Sequence, residues 1–182
     1  MVAMGALPSV TQVIGVYADF SRVPADVLDA ACARGTEVHR LCAAIAAGAW
    51  VPGAPEDLAG YVQSFRRWFD FVEQVHVLEE RFTDHRFGFT GQPDLIVTMR
   101  GDSAPSLVDL KTPATSQRAW RVQLAAYRHL ARLAGFPVER TFSLRLKRDG
   151  GPAIVDEYRN SATDFAAFSA ALTAYRYIKL AA

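Results

Sequence analysis

Apolar residues recur along this chain with two periods, and the change of period divides it. From about 24 to 47 an alanine-rich stretch repeats at helical spacing, and Gly48 with the "VPGAP" run stops it. Tyr61, Phe65, Trp68, Phe69 and Val72 continue at helical spacing, which predicts a second helix over 56–75 with its aromatic stripe in a core. Beyond it the period shortens to two. "VHVLEERF" (75–82) reads as a strand, "TDHR" as a turn and "FGFTGQPDLIVTMR" (87–100) as extended chain, Gly91 marking a bulge or a close backbone approach. After the "GDSAP" turn, "SLVDLKT" (106–112) is short and mostly apolar, as in a strand buried on both faces. A helix over 116–135 follows, with Ser116 as N-cap and Gly135 just past its end. Strands over 139–148 and 151–158 and a closing helix over 161–180 complete the order, and the opening "LPSVTQV" reads as irregular. The order α-α-β-β-β-α-β-β-α predicts an α/β (α+β) fold, one domain over 1–182 with a central mixed sheet flanked by helices.

Composition narrows the setting. A chain of 182 residues can bury a real core, and 51% hydrophobic with 21% charged residues excludes a disordered polymer. No apolar run reaches bilayer length, and the first twenty residues lack a basic region followed by an apolar one. The expectation is therefore a cytoplasmic protein without a membrane partner. Cys32 and Cys42, ten apart in the first helix, read as buried small apolar residues and cannot supply a four-cysteine zinc or iron–sulfur site. Net charge is only +1, yet residues 111–148 hold nine Lys/Arg against one acid, Glu139. That basic half reads either as a solvated face or as a phosphate-binding surface.

The chemistry gathers around "GQPD" and "VDLKT". Residues two apart in a strand share a side, so Asp109 and Lys111 face one way while Leu110 points into the core. If the strand after Asp94 pairs with the one holding Asp109, two carboxylates converge at a strand end. Such hard-oxygen donors suit Mg²⁺ or Mn²⁺, with the Leu110 carbonyl as a further ligand. An ammonium beside them can stabilise charge on a phosphate, which is the equipment for metal-assisted phosphodiester hydrolysis. Neither Asp-x-Lys nor Pro-Asp is distinctive alone. On the first helix His39 shares a side with Cys32, Gly35, Cys42, Ala43 and Ala46, whose small side chains permit close approach to a sheet, while Glu37 lies opposite. A single histidine there reads more simply as a packed residue than as a ligand. On the later helix Gln123, Tyr127 and Leu130 share one side, and Arg121, Arg128 and Arg132 form a stripe on the other, read as a solvated face or a secondary contact. Arg118, at the helix start, is a phosphate-binding candidate. Trp120 reads as a core or interchain contact rather than a base-stacking platform, and Arg145, Lys147 and Arg148 as either a grip on nucleic-acid backbone or a wet loop.

Taken in order, "ARGTEVHR" (33–40), "GQPD" (91–94), "VDLKT" (108–112) and "QLAAY" (123–127) resemble the RecB-type branch of the PD-(D/E)xK nuclease superfamily. Those enzymes show a G-x-x-x-H-like helix, a G-x-x-D strand, a (D/E)-x-K strand and a Q-x-x-x-Y helix. The match runs from Gly35 to Tyr127, about half of the chain, and the "PSVTQV" opening is similar to phage-type members. The resemblance implies a mixed sheet with flanking helices. It implies His39, Asp94 and Asp109 as ligands of Mg²⁺ or Mn²⁺, Lys111 as the catalytic lysine, and Gln123 and Tyr127 as groups that contact substrate or position the others. A family acid at the preceding strand falls on Glu79 or Glu80, with Glu79 preferred. The implied activity is hydrolysis of DNA by a stand-alone phage-type exonuclease in recombination, replication or repair, beside a strand-annealing recombinase or a single-strand-binding protein. A homo-oligomer such as a toroidal trimer is compatible, and the near-zero net charge favours an oligomer or a partner, since affinity for DNA rests on phosphate neutralisation. Three alternatives stay open: a non-catalytic DNA-binding subunit, a nuclease for RNA or branched DNA, and an interaction domain in which Asp109 and Lys111 form a surface ion pair.

Overall fold

The structure, a computed structural model, describes residues 6–17 and 23–180; part of the first twenty residues read above, 1–5 and 18–20, lies outside them. The chain opens not irregularly but with a short helix, α1 (Val10–Ile14), because Ser9 and Gln12 close a reciprocal capping box around its first turn. A 3₁₀ turn (Gly15–Tyr17) follows. Two long helices come next, α2 (Ala25–Ala46) and α3 (Glu56–Phe69). The predicted second helix thus stops six residues early. Val72 belongs instead to β1 (Val72–Leu78), with Val75 and Val77, where β-branched side chains suit pairing with a neighbouring strand. The 75–82 strand is likewise divided at Glu79, whose φ of 48° turns the chain into a separate hairpin of β2 (Phe82–Asp84) and β3 (Phe89–Gly91). Then come β4 (Leu95–Met99), β5 (Ser106–Lys111), α4 (Arg118–Leu133), β6 (Arg140–Arg145), β7 (Ile154–Glu157) and α5 (Ser161–Leu180). The N-cap of α4 is Gln117 rather than Ser116, while Gly135 does take the left-handed conformation just past its end, φ 95°.

The main sheet has the order β1-β4-β5-β6-β7. Only β5 and β6 run parallel, and α4 makes the crossover between them, so the sheet is mixed as expected. Both faces are covered. Leu107, Ile96 and Val77 pack toward α1, α4, α5 and the β2–β3 hairpin. Val108, Leu110, Leu95, Val97, Phe142 and Leu144 pack toward α2 and α3. β5 is therefore buried from Ser106 to Leu110 and only its last residue, Lys111, reaches an opening. Trp120 is buried, as expected of a core residue.

Two glycines set close approaches. A Cβ on Gly60 of α3 would stand 1.7 Å from the Arg148 carbonyl oxygen, so the turn after β6 lies directly on that helix. Lys147 N–H also donates to Ser64 Oγ at 3.0 Å. Residues 147–150 are thus docked rather than a loose loop. A Cβ on Gly91 would stand 2.7 Å from Leu130 and 2.8 Å from the Tyr127 ring, the close approach read from the sequence.

Cys42 is buried, but Cys32 is exposed. The first buried residue of α2 is Val38, so the N-terminal part of the helix overhangs the sheet and carries Cys32 with it.

Candidate active site

Register brings the two acids together. Leu95 pairs with Val108 in the antiparallel β4–β5 ladder, so Asp94, in the bend just before β4, falls beside the Asp109 end of β5. Asp94 Oδ2 accepts the Leu110 N–H at 2.6 Å, and Oδ1 lies 3.1 Å from His39 Nδ1 on α2. Asp109 shares its side of β5 with Lys111, whose Nζ stands 2.6 Å from Asp109 Oδ2. That Nζ also donates to Gln123 Oε1 at 2.9 Å, and Gln123 Nε2 donates to the Tyr127 hydroxyl at 3.2 Å, one turn on along α4. The Trp120 ring lies beneath the ammonium, its centre 5.5 Å away.

His39, Asp94, Asp109, Lys111, Gln123 and Tyr127 line one cavity of about 670 Å³, together with Thr11, Gly35, Thr36, Arg40, Ala43, Glu79 and Gln92. Six of the residues read from the sequence therefore meet there: His39, Asp94, Asp109, Lys111, Gln123 and Tyr127. Glu79 lines the cavity and Glu80 does not. Glu37 turns away, as the helical wheel indicated, and pairs with Arg40 at 2.6 Å. Arg118 is exposed and does not line the cavity. Thr11, Arg40 and Gln92 were not singled out by sequence reasoning. Arg40 and Gln92 adjoin motif residues, whereas Thr11, the Tyr127 partner from α1, lies in the "PSVTQV" opening, to which the sequence reading gave no site role.

The arginine stripe of α4 lies outside the carboxylate cavity, with Arg132 exposed and Arg121 and Arg128 half-buried against α5. Arg121 pairs with Asp164 of α5 at 2.7 Å, and Arg128 donates to Ser161. Arg145 is likewise tied to Asp156 of β7, at 2.5 Å. It lines a neighbouring cavity of about 360 Å³ with Lys147, Arg148 and Thr112, directly beyond Lys111.

Burial dominates the electrostatics. It pushes the Asp94 carboxyl up, but the His39 charge and hydrogen bond, the Leu110 N–H and Lys111 outweigh it and hold Asp94 below the usual range. Asp109 is raised, by burial and by the charge of Asp94, against the pull of Lys111. Burial disfavours a charged His39, yet Asp94 overcomes this and the imidazole is raised to about 9. Burial and the charge of Asp109 push the Tyr127 phenol well above its ordinary value, so it stays protonated.

Among the described residues no three His, Cys, Asp or Glu side chains are grouped so as to hold a metal ion, and His39 Nδ1 is engaged with Asp94 instead. Asp109 Oδ2 is buried, and the Lys111 ammonium 2.6 Å away is the cation beside it. Two adjacent carboxylates opening into a wet cavity fit a hard divalent ion that keeps water or phosphate oxygens as its other ligands, the usual way Mg²⁺ is held.

Among curated proteins none matches. The crystal structure of LHK-Exo in complex with dAMP is similar at 18% identity, over 95% of this chain and 91% of that one, with a TM-score of 0.40. The family model of the PD-(D/E)XK nuclease superfamily matches residues 10–178. That span takes in the sheet, α4 and every residue lining the cavity, and the chain belongs to the PD-(D/E)XK nuclease superfamily.

Proposed function

We propose that the chain, acting as one nuclease domain over 1–182, is a divalent-metal-dependent deoxyribonuclease and that it works as an exonuclease. The observation that carries this reading is the convergence of Asp94, Asp109 and Lys111 at the floor of one cavity. PD-(D/E)XK nucleases generally use divalent metals. Here Mg²⁺ or Mn²⁺ would be held by Asp94 and Asp109, with His39 and the Leu110 carbonyl as further donors. Bound there, the ion supplies charge neutralisation and an acidified water.

The protein's own groups do the rest. Lys111 places its ammonium where a non-bridging phosphate oxygen gains charge, and Gln123 fixes it through the 2.9 Å hydrogen bond. Tyr127 fixes the Gln123 amide in turn. The Leu110 N–H keeps the Asp94 carboxylate from rotating away. Linear DNA is the proposed substrate, handled with a strand-annealing or single-strand-binding partner in recombination or repair.

The test is release of acid-soluble label from linear duplex DNA with Mg²⁺, Mn²⁺ or EDTA. Wild type should release label only with metal, and Lys111→Ala should lose at least about a hundredfold, the scale of one transition-state charge contact. A folded wild-type protein that is inert with both metals on linear, single-stranded and branched DNA, while still binding DNA, would replace this reading with the non-catalytic one.

A further inference from the structure

The remaining arginines of the α4 stripe stand in an arrangement that the nuclease reading does not use. Arg128 and Arg132, one turn apart, both direct Nε to a single acceptor, the Val138 carbonyl oxygen, each at 3.2 Å. Arg128 Nη1 also donates to Ser161 Oγ, at the start of α5. Among the described residues neither guanidinium is ion-paired with a carboxylate; Glu139 acts on Arg128 only at longer range. The carboxylates nearby are engaged elsewhere, Asp84 with His129 at 2.7 Å and Asp164 with Arg121 at 2.7 Å. Arg128 is half-buried, and both burial and the neighbouring Arg132 disfavour its charge. Two like charges brought together beside a half-buried wall cost free energy unless an anion joins them.

The space for that anion is present. Arg128, Arg132, His129 and Ser161 line a cavity of about 170 Å³ with Ala125, Ala162 and Phe165, and no acidic residue lines it. In its wall the His129 ring stacks on Phe165 with centres 4.3 Å apart. The volume is below the roughly 300–1,000 Å³ of a pocket for a drug-sized ligand, so it holds one small oxyanion with the rest of the molecule outside. Forked guanidiniums and a hydroxyl match the oxygens of a phosphate.

We propose that this cavity between α4 and the start of α5 is a second phosphate-binding site, separate from the carboxylate cavity, in which Arg128, Arg132 and Ser161 hold one phosphate group. The phosphate belongs either to a free phosphomonoester or to a polynucleotide backbone. The site is independent of the nuclease reading, because its evidence is a charge arrangement outside that cavity.

The experiment is titration of ¹⁵N-labelled full-length protein with inorganic phosphate at constant ionic strength, following the arginine Nε–H signals by NMR. Saturable shifts at Arg128 and Arg132 are expected. Arg132→Gln, at an exposed position that tolerates the change, should weaken binding about tenfold, the value of one charge-assisted hydrogen bond. Lys111→Ala should leave this binding constant as in wild type. Competition by a short duplex would assign the phosphate to a nucleic-acid backbone. Competition by a nucleoside monophosphate but not the duplex would assign it to a free phosphomonoester. Shifts no larger than those given by sodium chloride, or saturable binding that Lys111→Ala abolishes, would overturn the proposal.

Discussion

Replacing His39 by asparagine in the metal-free protein should remove a specific pH dependence of stability. The imidazole lies 3.1 Å from Asp94 and is raised from 6.5 to about 9 in the folded state. A group whose folded value is raised gives stability that is complete below its unfolded value and is lost as pH rises through its folded value. The loss therefore falls between about pH 6.5 and pH 9. At roughly 1.4 kcal/mol per pH unit the ceiling is about 3 kcal/mol. The ring is 29% exposed, so screening by water brings the expectation to about 1–2 kcal/mol. Asp94 is held below the usual carboxylate range and stays ionised throughout, so the term belongs to the histidine. Urea unfolding in EDTA at several pH values measures it. With a slope of about 2 kcal/mol/M, the wild-type midpoint should fall by about 0.5–1 M more than that of His39→Asn over this window. Cysteine and terminal titrations occur in both proteins and cancel. Parallel midpoints for the two proteins from pH 6 to pH 9.5 would refute the coupling of His39 to Asp94.

Three further outcomes follow from particular contacts. Gly91→Ala sets a methyl 2.7 Å from Leu130 and 2.8 Å from the Tyr127 ring, and overpacking should cost about 1–3 kcal/mol by chemical denaturation. The same change should alter the near-UV circular dichroism of that tyrosine; unchanged stability and spectrum would remove the close approach from the account. Gly60→Ala should destabilise although a helical Gly-to-Ala change alone gains about 1 kcal/mol, because its Cβ would stand 1.7 Å from the Arg148 carbonyl oxygen; a raised melting temperature would contradict this. Arg148→Ala, in the cavity beyond Lys111, should lower the salt dependence of DNA binding by about one phosphate contact, and an unchanged slope would place the DNA elsewhere.

Much of the site was legible because its residues lie on regular elements. Asp109 and Lys111 share a side by strand alternation, and their 2.6 Å pairing follows once β5 is placed. Gln123 and Tyr127 share a side by helical spacing, and 3.2 Å separates their polar atoms. The α3–β1 boundary was less legible, since Val72 keeps helical spacing from Phe69 after the helix has ended. What ends it is the β1–β4 ladder, in which Val72 pairs with Met99, far along the chain. Thr11 and the partners of the arginine stripe escaped for the same reason: α1 and α5 reach α4 only through the fold. Cys32 shows the converse error, in which an apolar helical pattern extends past the edge of the sheet it was assumed to cover.

The parallel pairing of β5 with β6 has a consequence for how the protein is made. Every motif residue has been synthesised by Tyr127, yet β5 gains its second neighbour only with Arg140–Arg145. Until then one edge of the strand that carries Asp109 has no partner from β6. Contacts across such a separation close late and slowly. A chain truncated just after α4 would display the complete family signature without the strand that closes the far side of β5. Motif completeness and site completeness are different properties here, and a growing polypeptide acquires the second after the first.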